Sequence, residues 1–361
     1  MGKGKKVLLI GNNGHWKPIF DGQRGKTRLY FNILKKEGFD VTLIDLDGWK
    51  KHIVSILMDI KRNIKKCDFI LLMAAQKGSR TLIPYINFLN RKNKKKFIYS
   101  QIGNGVIIRK KIKKPYDFFV LHQFDGYKDK RMEKHLKKID VILPETDIIS
   151  RCYEKLFELN NCITLTNFKD VSNSSEHIST THKKTTKIVY FARVEKKKGI
   201  FDLLNAMCFI HDKNVFLDIY GMNQLTKKEM DSFNSLLKKM NNVKYLGQVD
   251  QNNSLELLSQ YDFMCFTTHY PEGVPGTIVE ALLVGLPIIS SNFVQSSELL
   301  KDGVDSIIYR VGDVPELTND IKLLISDKEK LSQLKTGALK NGKRFTYEYN
   351  RNLFLSIFSN E

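Results

Sequence analysis

The residues best suited to chemistry lie in one stretch, Tyr270-Pro-Glu-Gly-Val-Pro-Gly-Thr-Ile-Val-Glu-Ala281. It follows an apolar segment with the pattern of a strand and leads into a segment with the pattern of a helix. Glycines let a backbone approach a ligand closely, and the free N–H groups at the start of a helix favour an anion. We therefore predict an anion-binding loop formed by Gly273, Val274, Pro275, Gly276 and Thr277.

Two glutamates, Glu272 and Glu280, flank this loop and are eight positions apart. Glu272 precedes the loop and Glu280 lies about one turn into the predicted helix. Both side chains can point to the same side of a binding cleft, one toward the reacting end of a ligand and the other toward its far end. For either glutamate alone, the alternative is a surface loop followed by a capped helix.

The elements that position this stretch alternate between strand and helix along the whole chain. A polar segment at 170–186 interrupts the alternation, which then restarts. We therefore predict two doubly wound α/β domains, 1–169 and 187–340, joined by the linker 170–186, with a C-terminal helical segment 341–361 that returns to the first domain. In the first domain we predict helices at Thr27–Glu37, Lys50–Lys66 and Leu82–Asn90, and strands that include Tyr116–His122 and Cys162–Leu165.

The composition of the 361 residues is that of a folded protein with an excess of cations. Apolar residues make up 42%, and the formal charge is +20. Lysine-rich surfaces attract anionic lipid, nucleic acid or phosphorylated ligands, although a general bias toward lysine explains the charge equally well. The basic runs lack interleaved aromatic residues, and no nucleic-acid-binding motif is present, so we exclude nucleic acid as a partner.

The sequence shows no pattern typical of a transmembrane helix or a signal peptide. No run of about 18 apolar residues is present to form a transmembrane helix. The apolar start, Val7–Ile10, is too short for a signal peptide. The five cysteines are dispersed without zinc-ligand spacing, which is typical of reduced thiols. These features predict a cytosolic protein.

The stretch around Glu272 and Glu280 resembles the signature of retaining glycosyltransferases with the GT-B fold, in particular family 4. The following Gly285-Leu-Pro-Ile-Ile and the segment Ile188-Val-Tyr-Phe-Ala-Arg-Val, with Lys198-Gly199, are similar to further motifs of that family. The resemblance extends from Lys187 to about Asp313. In the first domain, Leu165-Thr-Asn-Phe-Lys is similar to a segment of some bacterial polysaccharide members. The implied fold is two Rossmann-like domains that face each other across a cleft.

The resemblance assigns roles to individual residues. Arg193 and Lys198 would stabilise the diphosphate that leaves from a nucleotide-sugar donor, as fixed cations do at other transferring groups. The alternative is that they are solvated loop charges, like the neighbouring Lys196 and Lys197. Glu272 would lie near the donor sugar, and Glu280 would accept hydrogen bonds from the ribose. The donor would be linked to UDP or GDP, and no metal or other cofactor is implied.

The first domain offers weaker candidates. Family members have a glycine-rich loop after the first strand, and here Gly22 and Gly25 suit that role for the donor diphosphate. Gly25-Lys-Thr also resembles the end of a P-loop, but Phe20 occupies the position where that motif needs glycine. His15, in the same loop, is a candidate for contact with an acceptor or sugar, although a lone loop histidine is more often merely exposed.

The family has a histidine in the first domain that contacts the donor sugar, and this sequence offers two candidate places for its counterpart. Either Gly103 and Asn104 take its place with backbone groups, or His122 does. Asp45-Leu-Asp47 has the spacing of the metal-binding DxD motif found in the other glycosyltransferase fold. Because it follows the second strand, we interpret it as structural and predict no metal site.

The sequence thus predicts a retaining, metal-independent glycosyltransferase of the hexosyltransferase type. It would transfer a sugar from a nucleotide-sugar to a glycan or polyprenyl-pyrophosphate-linked acceptor in bacterial polysaccharide biosynthesis. The basic amphipathic helix at Lys50–Lys66 suits an anionic membrane surface, which would place the enzyme in the cytosol and at the inner leaflet of the plasma membrane. The alternative is that the apolar face of this helix simply packs on the sheet. The alternatives are a non-catalytic sugar- or nucleotide-binding subunit and a nucleotide-sugar epimerase of the same fold.

Overall fold

The computed structural model describes residues 4–17, 22–103, 129–171, 185–250, 253–270 and 272–359. The chain divides into two compact units: Met1–Asn167 with Asn350–Glu361, and Phe168–Tyr349. The predicted strand Tyr116–His122 and most of the predicted linker 170–186 lie outside the described residues. No helix in the described ranges combines the length and apolar character that crossing a membrane requires.

The first unit is built on a parallel sheet of order β2-β1-β3-β4-β5. Its central strand β3 is apolar throughout and fully buried, as expected for a strand covered on both faces. Phe354 and Phe358, from the C-terminal segment, pack on Tyr30, Phe39 and Phe69 of this unit. The strands are β1 (Lys6–Gly11), β2 (Asp40–Asp45), β3 (Phe69–Ala74), β4 (Lys96–Gln101) and β5 (Val141–Leu143). The helices are α1 (Gly22–Lys36), α2 (Ile53–Asn63), α3 (Gln76–Asn93), α4 (Lys130–Leu136) and α5 (Asp147–Phe157).

The second unit contains a parallel sheet of order β11-β10-β9-β6-β7-β8. The strands are β6 (Thr186–Phe191), β7 (Val215–Tyr220), β8 (Val243–Gly247), β9 (Phe263–Phe266), β10 (Ile288–Ser291) and β11 (Ser306–Tyr309). The helices are α6 (Ile200–Met207), α7 (Lys227–Leu237), α8 (Ser254–Leu258), α9 (Gly276–Leu283), α10 (Ser296–Leu299), α11 (Val314–Ser326) and α12 (Lys328–Gly342). A last helix, α13 (Tyr347–Ser356), begins in this unit and continues in the first. Two parallel sheets with alternating helices confirm the predicted fold class.

The start of α1 corrects the prediction that this helix begins at Thr27. The helix already includes Gly22 and Gly25, which therefore do not lie in a loop. Side-chain contacts hold its first turns: Arg24 pairs with Asp47 at 3.0 Å, and Thr27 Oγ1 donates to the Gln23 carbonyl oxygen at 3.0 Å. These contacts offset the low helix propensity of glycine.

Two further elements differ from prediction. The expected strand Cys162–Leu165 is only an isolated bridge between Ile142 and Cys162. Leu165 donates to the Pro144 carbonyl oxygen, but proline has no N–H group to donate in return, so the ladder stops there. Helix α3 begins at Gln76, ahead of the predicted Leu82, and contains Pro84 in its interior.

Candidate functional site

The candidate site lies at the carboxyl ends of β6 and β9, which are neighbours in the second sheet. Strand order changes direction here, because β7 lies on one side of β6 and β9 on the other. In doubly wound sheets, ligands bind beyond the carboxyl ends of strands at such a point. Arg193 and Lys198 follow β6, while Glu272 and the glycine loop follow β9, so the fold brings these predicted residues to one sheet edge.

Lys198 is held in place by a close backbone contact. Gly199 has φ +70°, and a Cβ atom there would lie 1.7 Å from the Thr267 carbonyl oxygen, so only glycine fits. Thr267 Oγ1 donates to the carbonyl oxygens of Lys198 and Gly199 at 3.1 and 2.9 Å. As a result Lys198 is buried while Lys196 and Lys197 are exposed, which distinguishes it from the two lysines beside it.

The Lys198 ammonium forms an ion pair with Glu272 Oε1. Thr268 Oγ1 donates a hydrogen bond of 2.9 Å to the same oxygen. Both charged side chains are almost completely buried, and the ammonium also lies 5.7 Å from the centre of the Tyr270 ring. A buried cation paired with a carboxylate can exchange that partner for a stronger anion, such as a diphosphate.

Arg193 lies near Lys198 in the backbone but has different side-chain partners. The hydroxyl of buried Tyr190 donates to the Arg193 carbonyl oxygen at 2.9 Å and to the Lys198 carbonyl oxygen at 3.3 Å, which ties the two positions together. The guanidinium is half exposed and pairs with Glu195 at 3.2 Å. It also donates to Gln224 Oε1 at 3.2 Å. It is therefore accessible to an anion from solvent.

The glycine loop leads into α9 as predicted. Gly276 is the first residue of the helix, and a Cβ atom there would meet no other atom within 4 Å. The N-cap residue is Pro275, whose side chain has no hydrogen-bond acceptor for the first turn. Val274 is buried beneath the loop. The start of α9 thus presents backbone N–H groups, with open space beside Gly276, to a ligand at this edge.

Glu280 is buried within α9, and Lys169 is its cation. The Lys169 Nζ atom lies 2.7 Å from Glu280 Oε1. Glu280 and Glu272 therefore have separate lysine partners in the same unit.

His269 extends the charged edge of the site. Its Nε2 atom lies 2.5 Å from Asp202 Oδ2, and this hydrogen bond raises the pKa of His269 above the ordinary value for histidine. The stabilisation from a protonated His269 is therefore complete below the pKa of an unfolded histidine and is lost as the pH rises through the raised value. The backbone N–H of His269 donates to the Lys197 carbonyl oxygen at 2.8 Å, which joins this segment to the Lys198 turn.

In the first unit, the predicted site residue His15 contacts Asp45. His15 lies in a short turn with φ 47°, and its Nδ1 atom is 3.1 Å from Asp45 Oδ2. It lines a cavity of about 440 Å³ together with Asp45, Asp47 and His52. Asp45 also accepts hydrogen bonds from the backbone of Asn13 and His15 at 3.0 and 2.7 Å, so it shapes this turn.

The remaining predicted positions lie at or beyond the edge of the described structure. Gly103 has φ +78°, and its carbonyl oxygen accepts a hydrogen bond of 3.0 Å from Gln101 Nε2. Asn104 and His122 lie outside the described residues. Among the residues that the structure does describe, no three His, Cys, Asp or Glu side chains are grouped so that they could hold a metal ion.

Three residues of this site were absent from the predicted set: Thr268, Tyr190 and Lys169. Thr268 lies two residues after β9 and four residues before Glu272, so its hydroxyl can contact that carboxylate across the loop. Tyr190 sits within a strand pattern and gives no signal of its contact. Lys169 is far from Glu280 in sequence, so only the folded chain reveals the pair.

A family model matches part of the chain. Residues 173–341, which are 169 of the 361 residues, match the family model described as Glycosyl transferases group 1. The match lies entirely within the second unit, and its range includes Arg193, Lys198, Glu272 and Glu280. In its second unit, the chain is thus similar to the glycosyltransferase group 1 family.

Two curated relatives are glycosyltransferases by name. The uncharacterized glycosyltransferase MJ1069 of Methanocaldococcus jannaschii is 21% identical over 73% of this chain and 68% of its own length. A Campylobacter jejuni enzyme is 23% identical over 46% of this chain and 41% of its own length. Its name is N,N'-diacetylbacillosaminyl-diphospho-undecaprenol alpha-1,3-N-acetylgalactosaminyltransferase.

Among solved structures, HepE from Anabaena in complex with UDP and glucose is similar in fold. Its TM-score is 0.68 at 16% identity, and the likeness covers 98% of this chain and 99% of that chain. At this identity the likeness concerns the fold alone. It confirms the predicted GT-B class of two Rossmann-like α/β domains.

Proposed function

We propose that this chain transfers a sugar from a nucleotide-sugar to an acceptor hydroxyl with retention of anomeric configuration. The observation that carries the proposal is the buried Lys198–Glu272 pair beside an uncapped helix start. A diphosphate at this edge would meet a preorganised cation and backbone N–H groups, the arrangement that stabilises charge as it develops on a leaving group.

In this mechanism the bond between the sugar C1 atom and the diphosphate oxygen breaks, and a bond from C1 to the acceptor oxygen forms. Lys198 and Arg193 stabilise the negative charge that grows on the diphosphate. The leaving diphosphate itself accepts the acceptor proton, and so no side chain is assigned as a base. Once Lys198 turns to the diphosphate, Glu272 is released to position or stabilise the donor sugar, while Glu280 accepts hydrogen bonds from the ribose.

The proposed donor is a UDP- or GDP-sugar, bound without a metal ion. The acceptor is a glycan or a polyprenyl-pyrophosphate-linked glycan, as in bacterial surface polysaccharide assembly. Two findings support these choices: the similar HepE structure contains UDP, and the Campylobacter relative is named for a diphospho-undecaprenol acceptor. The cavity beside His15 offers carboxylates and imidazoles for hydrogen bonds to acceptor hydroxyls.

One diphosphate nucleotide should stabilise the protein without added metal. We expect UDP or GDP, but not CMP, to raise the thermal midpoint. At about 100 times its dissociation constant, a ligand adds about 2.7 kcal/mol, which corresponds to about 5 °C or more for a domain of this size. Differential scanning fluorimetry in EDTA, with UDP, GDP, ADP and CMP in turn and then the matching nucleotide-sugars, measures the shift.

The Arg193→Ala variant should lose most of this shift. Arg351→Ala is a matched control, because both arginine side chains are 46% exposed and both pair with a glutamate. A shift that is the same in Arg193→Ala and Arg351→Ala would contradict the assigned role of Arg193. The absence of a shift with every nucleotide would contradict the donor proposal as a whole.

The second part of the proposal is that helix α2 faces an anionic membrane. The helix buries Ile56 and Ile60 against its own unit. On α2 itself, Val54 and Met58 are exposed, at 68% and 47%, together with Lys61 and Arg62. Further exposed lysines flank the helix: Lys50, Lys51, Lys65 and Lys66. Exposed apolar side chains flanked by cations are typical of helices that lie on anionic lipid. This would place the enzyme at the inner leaflet of the plasma membrane.

Vesicle flotation tests this orientation. We expect the protein to float with phosphatidylglycerol vesicles and not with phosphatidylcholine vesicles. Removing two lysines by Lys61→Gln and Lys65→Gln should weaken binding about 30-fold, since each surface lysine contributes about 1 kcal/mol. The control is Lys227→Gln with Lys228→Gln, two exposed lysines of α7. Equal flotation with both lipids, or equal losses in both double variants, would contradict the proposal.

A further inference from the structure

We infer that Lys169 is a positioning residue for the donor nucleotide, because it holds the buried Glu280 carboxylate in the orientation that receives the ribose. This inference rests on the proposed function, in which Glu280 binds the ribose hydroxyls. The contact itself is a property of the folded second unit: Lys169 Nζ lies 2.7 Å from Glu280 Oε1.

A carboxylate as buried as Glu280 needs a nearby cation. Its side chain is only 3% exposed. Moving a charge out of water costs several kcal/mol unless an opposite charge and hydrogen bonds compensate for the lost solvation. Lys169 supplies that charge at one oxygen. A carboxylate has a second oxygen that accepts further hydrogen bonds, and this is the atom we assign to the ribose hydroxyls.

The backbone of Lys169 is fixed by a short parallel bridge. Its N–H donates to the Phe345 carbonyl oxygen at 2.9 Å, and its own carbonyl oxygen accepts from the Tyr347 N–H at 2.8 Å. The preceding Phe168 is buried and stacks on Tyr347, with ring centres 6.0 Å apart. A lysine whose Cα position is fixed in this way loses less freedom when it forms an ion pair, so it can define the orientation of its partner.

This bridge fixes the backbone of Lys169 at a position from which its side chain reaches α9. Its ammonium reaches Glu280 from outside α9, while its remaining exposure of 27% shows that the pair lies at the margin of the buried region. We assign the ribose to the side of the pair on which Lys169 is exposed. Without Lys169, the buried carboxylate would lack its compensating charge and would turn toward solvent, so its selectivity for ribose hydroxyls would fall.

The test compares nucleotides with and without ribose hydroxyls. Isothermal titration calorimetry measures the affinities of the full-length protein for UDP, GDP and their 2',3'-dideoxy forms, with inorganic pyrophosphate as a probe that lacks the ribose. We expect the wild type to prefer the ribose form of its nucleotide by about tenfold or more, since a hydrogen bond to a charged group has that effect. In Lys169→Met this preference should fall to about threefold or less, while pyrophosphate affinity stays within about twofold, because only the ribose contact depends on the pair.

Two further variants make the result specific. Lys169→Gln keeps a hydrogen-bond donor without the charge and should give an intermediate preference; it also serves if Lys169→Met does not fold. Lys335→Met is the matched control, because Lys335 is 30% exposed and pairs with Asp262 at 3.5 Å in the same unit. This control should keep the wild-type preference.

Each outcome separates the inference from the function on which it rests. An unchanged ribose preference in both Lys169 variants would overturn the inference and leave the proposed function intact. A wild type that binds its nucleotide without any ribose preference would overturn the role of Glu280 and therefore that of Lys169. A wild type that binds no nucleotide would overturn the proposed function together with the inference.

Discussion

Replacing Glu272 with glutamine should reduce sugar transfer by about 100-fold, the scale on which one preorganised polar group at a reacting centre acts. Glutamine has the same shape but no charge, so it cannot stabilise positive charge on the sugar. Its side chain can still contact Thr268, which now donates a 2.9 Å hydrogen bond to Glu272 Oε1. The local fold should therefore survive, and the effect should be on the chemical step.

The affinity for the nucleoside diphosphate should behave differently from the rate. In the resting structure Lys198 is paired with Glu272, so the diphosphate must compete with that carboxylate for the ammonium. Removing the charge of Glu272 releases Lys198. We therefore expect Glu272→Gln to bind UDP or GDP at least as tightly as the wild type does. Steady-state kinetics with the nucleotide-sugar and calorimetry with the free diphosphate separate these two effects.

Glu329→Gln is the control for this substitution, since Glu329 is exposed on α12. It should change neither the rate nor the affinity. Transfer by Glu272→Gln at the wild-type rate would show that Glu272 has no role in the reaction. Weaker diphosphate binding by Glu272→Gln would show that the Lys198–Glu272 pair does not compete with the ligand.

The sequence was sufficient for the fold because its strongest patterns are local. The continuous apolar run of β3 and the alternation of strands and helices predict parallel sheets without any long-range information. The predicted start of α1 was wrong because it depends on contacts that are not local. Two glycines oppose a helix there, and the contacts that outweigh them, such as Arg24 with Asp47, join residues distant in sequence.

Helices α11 and α12 were missed for a different reason. They were not predicted, although each has an aspartate at its start: the side chains of Asp313 and Asp327 accept hydrogen bonds from Glu316 N and Lys330 N. Pro315 in the first turn of α11 is a further local signal of a helix start. Here the sequence contained the information, and capping residues would have identified both helices.

In the candidate site too, local motifs predicted some residues, while partners distant in sequence were missed. Glu272, Lys198, Arg193 and the glycine loop follow strands that are adjacent in the sheet, so motif and spacing were enough to group them. The partners that orient these residues could not be found in this way. Lys169 is 111 positions before Glu280, as their numbers show, and the pair exists only because the segment before the second sheet folds back beside α9.

The largest effect on stability should come from Lys26→Met in the first unit. Lys26 Nζ lies 2.8 Å from Glu145 Oε1, and the two side chains are almost completely buried. Burial lowers the pKa of Lys26, but the charge of Glu145, the nearby Tyr30 and the hydrogen bond to Glu145 together outweigh this effect, so the pKa of Lys26 is raised above its ordinary value. Removing one partner of a buried pair costs about 3–5 kcal/mol, which corresponds to a fall in the thermal midpoint of about 10 °C.

The pH dependence identifies this pair as the cause. Because the pKa of Lys26 is raised, its stabilising charge is complete below the unfolded value near 10.4 and is lost only as the pH rises through the folded value. The difference in stability between the wild type and Lys26→Met should therefore stay constant around neutral pH and narrow only as the pH rises through the raised pKa of Lys26. Calorimetry between neutral and alkaline pH measures this difference.

The double variant Lys26→Met, Glu145→Gln should recover more than half of the lost stability. Glutamine carries no charge, so this variant does not bury an unpaired carboxylate. Lys137→Met is the surface control: Lys137 is half exposed and pairs with Glu133 and Glu158, so its loss should change the midpoint little. If the double variant were no more stable than Lys26→Met, the cost would come from packing around the lysine stem. The charge of Lys26 would then have no special part in stabilising the first unit.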